Sequence, residues 1–294
     1  MARKSKIEVS AVNLRIPAEK ERDYAGLIEA LRQQRRGVRV YGHTYVAISH
    51  FDPKSLEGII SKYTEIDIDG EWFDLDDFDA ATENKVGEIN IPKNLRPNLS
   101  QYYFELNEEE HVLVYSSYSE SKSLSARSME NYFQEVLDAS AIKNKFGSVQ
   151  ADVVKNYSEV EKIMALPKLR ELRFSIRRPN SDGLGKDLAE RIEERLKEQD
   201  GDEYQEAIKT SSSKGLKPNE RTKQLGYVAA ENGELEAKSL VNGVLTPHTT
   251  ENAPLVEQET YTKDESEKIK FGVLAKRLIN RIKKMRASLR NDDQ

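Results

Sequence analysis

Nine lysines and arginines fall between Lys268 and Arg290 with no acidic residue among them: Lys268, Lys270, Lys276, Arg277, Arg281, Lys283, Lys284, Arg286 and Arg290. Cations at that density neutralise phosphates and release their counterions, so the chemistry they offer is polyanion binding. In the same stretch Phe271, Leu274, Leu278, Ile282, Met285 and Leu289 recur at steps of three or four. That spacing predicts one helix with an apolar stripe and basic residues over much of its remaining surface. The chain has a formal net charge of -5, and without these nine cations the remainder stands nine lower, at -14. Charge is therefore segregated into an acidic bulk and one basic element.

A second basic pattern lies upstream. Leu172, Phe174 and Ile176 alternate with Arg173, Ser175 and Arg177, which predicts a strand apolar on one face and basic on the other. Arg173, Arg177 and Arg178 either pair with carboxylates on a solvated sheet face or form a second phosphate patch. Gly183 and Gly185, in the loop that follows, do not meet the glycine patterns of phosphate loops. The candidate DNA contacts are thus Lys276, Arg277, Arg281, Lys283, Lys284 and Arg286 on the helix, with Arg173, Arg177 and Arg178 as the second patch.

Bond-making chemistry has weaker support. Glu65 to Asp79 holds eight acids and no base. With Glu65 first, Asp67, Asp69 and Gly70 take the third, fifth and sixth places of a calcium loop, but Glu at the first place and Asp76 at the twelfth depart from that pattern. The competing reading is a β-hairpin turning at Asp69-Gly70, with Ile66 and Ile68 on one strand and Trp72 on the other. Glu236-Ala237-Lys238, with Asp182 as a distant acid, has the form of a magnesium nuclease centre, yet a polar hairpin would expose it. His43, His50, His111 and His248 are scattered without metal-ligand spacing, no serine sits in a nucleophile elbow, and there is no cysteine. No catalytic residue, metal or cofactor is expected.

Along the chain, residues 7–16 read as a strand, with Ile7, Val9 and Ala11 on one side and Val12, Leu14 and Ile16 on the other, so both faces are covered. A helix over 19–36 follows, with Tyr24, Leu27, Ile28 and Leu31 inward; then a β-rich run over 38–50 and a short helix over 55–63. Residues 102–106 and 111–116 form a strand pair, 129–139 a helix, 149–154 a strand and 158–166 a short helix. After the strand from Leu169 comes a helix with Leu184, Leu188, Ile192 and Leu196 at steps of four. Lys209 to Lys223 reads as a flexible basic connection with one acid, Glu220. A β-hairpin over 225–240 should turn at Asn232-Gly233, and Asn242-Gly243 offers a second tight turn.

The pattern LxxLRFSIRRPNSDG from Leu169, ahead of an amphipathic helix, resembles an uncharacterised bacterial and prophage family found among phage-defence genes. The preceding runs HVLVYSSYSES, SARSMENYFQEVL and SVQADVV extend the resemblance, which in order and spacing reaches more remotely to the lambdoid exclusion protein RexA and the Kiwa protein KwaB. It covers residues 103–240 and the terminal helix, and it implies a cytoplasmic, dimeric, DNA-binding protein of phage exclusion. No catalytic residue carries over.

The expected fold class is α+β, with mixed or antiparallel sheets, flanking helices and the basic C-terminal helix. Residues 1–160 form one unit, 161–260 a second with a β-hairpin, and 264–290 the terminal helix. The expected function is non-enzymatic, largely sequence-independent binding of double-stranded DNA in an antiviral defence system, as a sensor and a homodimer, with a membrane or effector protein as a further partner. The alternative is a protein-interaction or membrane-surface adaptor acting through the same helix; a metal-dependent nuclease ranks third. No signal-peptide run or membrane span is evident, so a cytoplasmic location is expected.

Overall fold

The computed structural model describes residues 4–17, 19–68, 70–179, 186–262 and 264–291. Its first strand, β1 (Lys4–Arg15), is buried on both faces because apolar residues occupy odd and even positions alike. Ile7, Val9 and Ala11 join one core, whereas Val12 and Leu14, with Ile16 just past the strand, join another. A chain that must satisfy two cores sits at the centre of its sheet. β1 pairs antiparallel with β8 (Val112–Ser119) along one edge. Along the other, its first half pairs with β15 (Glu257–Thr262) and its second half with β10 (Gln150–Val153).

From β8 the sheet continues through β7 (Ser100–Asn107), β4 (Glu57–Thr64), β3 (Thr44–Asp52) and β2 (Val38–Tyr41), all antiparallel. β9 (Lys122–Ser123) adds a short hairpin to β8, and β5 (Phe73–Asp74) with β6 (Asp79–Ala80) makes a separate two-residue ladder. One face of the large sheet carries α1 (Tyr24–Gln33), α3 (Ala126–Leu137) and α4 (Ser140–Phe146) over a core that includes Leu27, Phe104, Phe133 and Tyr132. Asp23 caps α1 by accepting from Gly26 N at 2.6 Å, and Ser125 caps α3 through Ser128 N at 3.2 Å. α2 (Glu83–Gly87) lies beyond β6 with no buried residue.

The second unit is a four-stranded antiparallel sheet in the order β12 (Glu203–Lys209), β11 (Leu169–Arg177), β13 (Gly233–Val241), β14 (Val244–Thr249). Helices α5 (Tyr157–Met164), α6 (Lys186–Glu198) and α7 (Glu220–Asn232) share its core. As the alternation requires, Leu172, Phe174 and Ile176 are buried in that core. α8 (Glu267–Asn291) then returns to the large sheet. The fold is α+β, with antiparallel sheets and a C-terminal helix.

Three local expectations fail for physical reasons. Residues 55–63 form β4 rather than a helix, because a turn closed by Leu56 N on Asp52 O leads straight into pairing with β3, and Gly58 lies against the Phe104 ring where a Cβ would not fit. Asn232-Gly233 is the end of α7 and the start of β13 rather than a hairpin turn. Asn219 caps α7 by accepting from Thr222 N at 2.9 Å, and Leu225, Val228 and Ala229 are buried at helical spacing. Residues 257–260, grouped by sequence with the second unit, pair with β1 in the first sheet. The Asn242-Gly243 turn does connect two strands, with φ of 50° and 83° as a two-residue hairpin loop needs.

Candidate nucleic-acid interface

The apolar stripe of α8 is spent on the protein itself. Phe271, Leu274, Leu278 and Ile282 are buried with Ile7, Val9 and Ala11 of β1 and Val112 and Val114 of β8, and Met285 packs at the edge of this core and of the second unit's core. Each fully buried aliphatic or aromatic side chain contributes roughly 1.5–3 kcal/mol, so the stripe dominates the docking. The stripe is thus turned inward, and among the described side chains of α8 Ile269 and Val273 are the large apolar ones left exposed. Leu289 and Arg290 have side chains outside the described residues.

The basic flanks of α8 meet carboxylates that the strands and turns bring up from below. Lys268 pairs with Glu57 at 2.7 Å, Lys270 with Glu265 at 2.6 Å, Arg277 with Glu259 at 3.2 Å, Arg281 with Glu257 at 2.9 Å and Lys283 with Glu109 at 2.6 Å. Such exposed pairs contribute little each, about 0–1 kcal/mol, but they cancel the field that would attract phosphate. Lys276 and Lys284 alone among the expected helix contacts are exposed with no ion pair among the described residues.

Arg286 is not on the surface. It is 5% exposed and binds the Glu231 carboxylate through Nε at 3.1 Å and Nη2 at 2.9 Å, with Nη1 donating to Glu110 O at 2.7 Å. Burial works against its charge, but Glu231 and Glu110 outweigh it and raise the guanidinium above its ordinary value. Tyr157 donates to the same Glu231 at 2.6 Å, and burial followed by that carboxylate pushes the phenol far up. Asn13 Nδ2 reaches Glu231 O at 3.3 Å. This buried cluster ties β1, α5, α7 and α8 together; it is a structural joint between the two units.

The second arginine patch is engaged within the fold to differing degrees. Arg177 pairs with Asp152, whose other oxygen takes Arg15. Burial would raise the Asp152 carboxyl, but Arg15 and Arg177 together hold it below its usual value. Arg178 donates through Nη2 to Gly201 O at 3.0 Å, and Arg173 lies 3.5 Å from Glu171 and 3.9 Å from Glu236. Glu236 and Lys238 sit on the polar face of β13, Lys238 bound to Glu171 at 3.1 Å, while Asp182 lies outside the described residues. No group of three or more metal-ligating residues occurs among the described residues. Asp69 also lies outside them, so the turn expected there is not described; the β5–β6 ladder nearby turns between Asp74 and Asp79.

Unpaired cations do collect at one place that the motifs passed over. The segment from Thr210 to Leu216 is fastened to the start of β11: Thr210 N donates to Arg170 O at 3.0 Å, Leu216 N to Leu169 O at 2.7 Å, and the Arg170 side chain binds Ser212 O. Gly215, at φ 81°, allows this approach, since a Cβ there would stand 2.9 Å from Lys168 Cα. The result gathers Lys168, Arg170, Lys214 and Lys217 at one end of the small sheet, and Arg221 follows in the first turn of α7. None of these five has an ion pair among the described residues. Leu240 N donates to Lys168 O at 3.1 Å, so the β13–β14 tip, with Val241, Val244 and Leu245 exposed, stands beside them. The signal was in the sequence as a basic connection; its hydrogen bonds to the start of β11 and its meeting with Lys168 and Arg170 were not.

A family model described as a domain of unknown function (DUF4747) matches residues 5–280, and the chain belongs to that family. No curated protein matches it. No helix among the described residues is long and apolar enough to cross a membrane.

Proposed function

We propose that this member of the DUF4747 family is a non-enzymatic protein that binds double-stranded DNA without reading its sequence, as a sensor in phage exclusion, through the basic end of its small sheet. The observation that carries the reading is the cluster of Lys168, Arg170, Lys214, Lys217 and Arg221, cations left uncompensated on a chain that pairs most others. Point charges on a backbone-fastened loop suit phosphates, and the neighbouring tip carries Val241, Val244 and Leu245 rather than aromatic rings, so stacking on single-stranded bases has no platform there. The phage-exclusion setting rests on the resemblance of the Leu169 strand-loop-helix pattern to phage-defence proteins.

The test is fluorescence anisotropy with a labelled duplex of about 30 base pairs across a salt series, where each lost phosphate contact lowers the slope of log K on log salt by about 0.9. Changing Lys168, Lys214, Lys217 and Arg221 to Gln is expected to flatten that slope by about three to four. Changing Arg277, Arg281 and Lys283 to Gln is expected to leave it nearly unchanged. No binding at low salt would overturn the reading.

A further inference from the structure

Exposed large apolar side chains gather in one acidic stretch: Ile66, Phe73, Leu75, Phe78, Leu95 and Leu99. Between residues 65 and 99 there are ten acidic and three basic residues. At its centre the β5–β6 ladder pairs Phe73 with Ala80 and Asp74 with Asp79, leaving Leu75 to Phe78 as the connecting loop. Asp74 Oδ1 accepts from Asp76 N at 2.9 Å and Asp77 N at 3.3 Å, and Lys85 clamps Asp74 and Asp77 together. Phe78 is held at φ 54°, which a bulky side chain adopts only when its surroundings impose it. Its ring packs edge-on against Phe73 at 5.2 Å, yet Phe73 is 58% exposed, Leu75 81% and Phe78 79%. Glu71, Asp76, Asp79 and Glu83 have no ion pair among the described residues. This is a preformed knuckle, apolar at the tip and negative around it, whose ordering cost is already met within the fold.

The chain also contains a surface of opposite character. Between α5 and α7 lies a groove of about 560 Å³, floored by Val160, Met164 and Tyr227. Its acids are occupied: Glu161 accepts from Tyr227 at 3.2 Å and Glu220 binds Lys223 at 2.7 Å. The groove ends at Ala165 and Glu220, three residues from Lys168 and from Lys217 respectively, so it opens beside the uncompensated cations.

We infer that the knuckle of one chain seats in the α5–α7 groove of a second copy, with Phe73 and Phe78 in the groove and Asp76 and Asp79 against Lys168 and Lys217. Each aromatic ring can bury roughly 150–250 Å², so a single insertion falls short of a standard interface of about 1,600 Å², and a reciprocal pair about a two-fold axis brings the total closer. The association is therefore reversible, concentration-dependent and weakened by salt. It uses only charge and shape, and because Lys168 and Lys217 also belong to the proposed DNA surface, a duplex and a second copy compete for them.

Sedimentation velocity of the full chain, over a concentration series at low and high salt, tests this. The wild type is expected to self-associate at low salt, and Phe73→Ser with Phe78→Ser is expected to weaken association about thirtyfold, the scale of a lost interface hot spot. Asp76→Lys with Asp79→Lys makes one self-repelling chain, and Lys168→Glu with Lys217→Glu makes another. Each alone is expected to stay monomeric, whereas an equimolar mixture re-forms the heterodimer, which a merely structural effect of the substitutions would not do. A wild type that stays monomeric throughout overturns the inference and leaves the knuckle to a different basic protein. Association unmoved by the phenylalanine pair, or no rescue in the mixture, also overturns it.

Discussion

Arg286 of α8 and Glu231 of α7 form a two-pronged ion pair in the interior, with nitrogen-oxygen distances of 2.9 and 3.1 Å and both side chains nearly inaccessible. Removing one partner leaves a buried charge unmatched. Arg286→Met is expected to lower stability by about 3–5 kcal/mol in urea unfolding, and Arg286→Met with Glu231→Leu to recover much of that loss. A double variant no more stable than the single one would contradict the pairing.

The docking of α8 separates apolar from ionic contributions. Leu278→Ala, at a fully buried position, is expected to cost about 2–5 kcal/mol. Arg277→Gln and Arg281→Gln, on exposed or half-exposed pairs, are each expected to cost under about 1 kcal/mol. Denaturant midpoints of the three variants, measured side by side, decide the ranking.

Glycines within helices offer a contrasting pair. A Cβ on Gly226 would lie 2.7 Å from Met164 Cε and 2.8 Å from a Val160 methyl, so Gly226→Val is expected to destabilise by about 1–3 kcal/mol through the α5–α7 contact. Gly272 of α8 has nothing within 4 Å of the same position, and Gly272→Ala is expected to stabilise by about 0.5–1 kcal/mol. Opposite shifts in thermal midpoint are the observable.

His111 stacks on Tyr24 with ring centroids 4.7 Å apart, and burial, with Arg22 and Arg286 nearby, pushes its imidazole down to about 4. Below the ordinary value of about 6.5 the unfolded chain takes up a proton that the folded one refuses, so stability falls as pH drops from about 6.5 towards about 4. The loss is at most about 3 kcal/mol. His111→Asn, which keeps a residue tolerant of the local φ of 55°, is expected to flatten that part of the stability-pH curve.

Strand β1 was legible because alternating apolar residues on both faces have no other use, and α8 was legible because its stripe repeats at helical spacing. What the basic residues of α8 do was not legible. Lys283 finds Glu109 across 174 positions of sequence, and no local pattern announces such a partner. The same limit applies to Arg177 and Asp152, and to Arg286, which charge alone assigned to the surface. Asn232-Gly233 misled in the other direction, a strong local turn signal overridden by the Asn219 cap and the buried face of α7. Lys168 and Lys217 became neighbours only through the backbone bonds that fold residues 210–216 onto β11.

The position of β1 also sets an order of events at the ribosome. β15 and α8, which close part of this strand's edge and cover Ile7, Val9 and Ala11, are translated about 240 residues after it, a delay of roughly 12–50 s. Throughout that interval the nascent chain carries an open strand edge and a bare apolar face at the middle of its largest sheet. Closure of this face thus waits for β15 and α8, and a nascent chain stalled before Glu257 presents the sticky surface that holdase chaperones recognise.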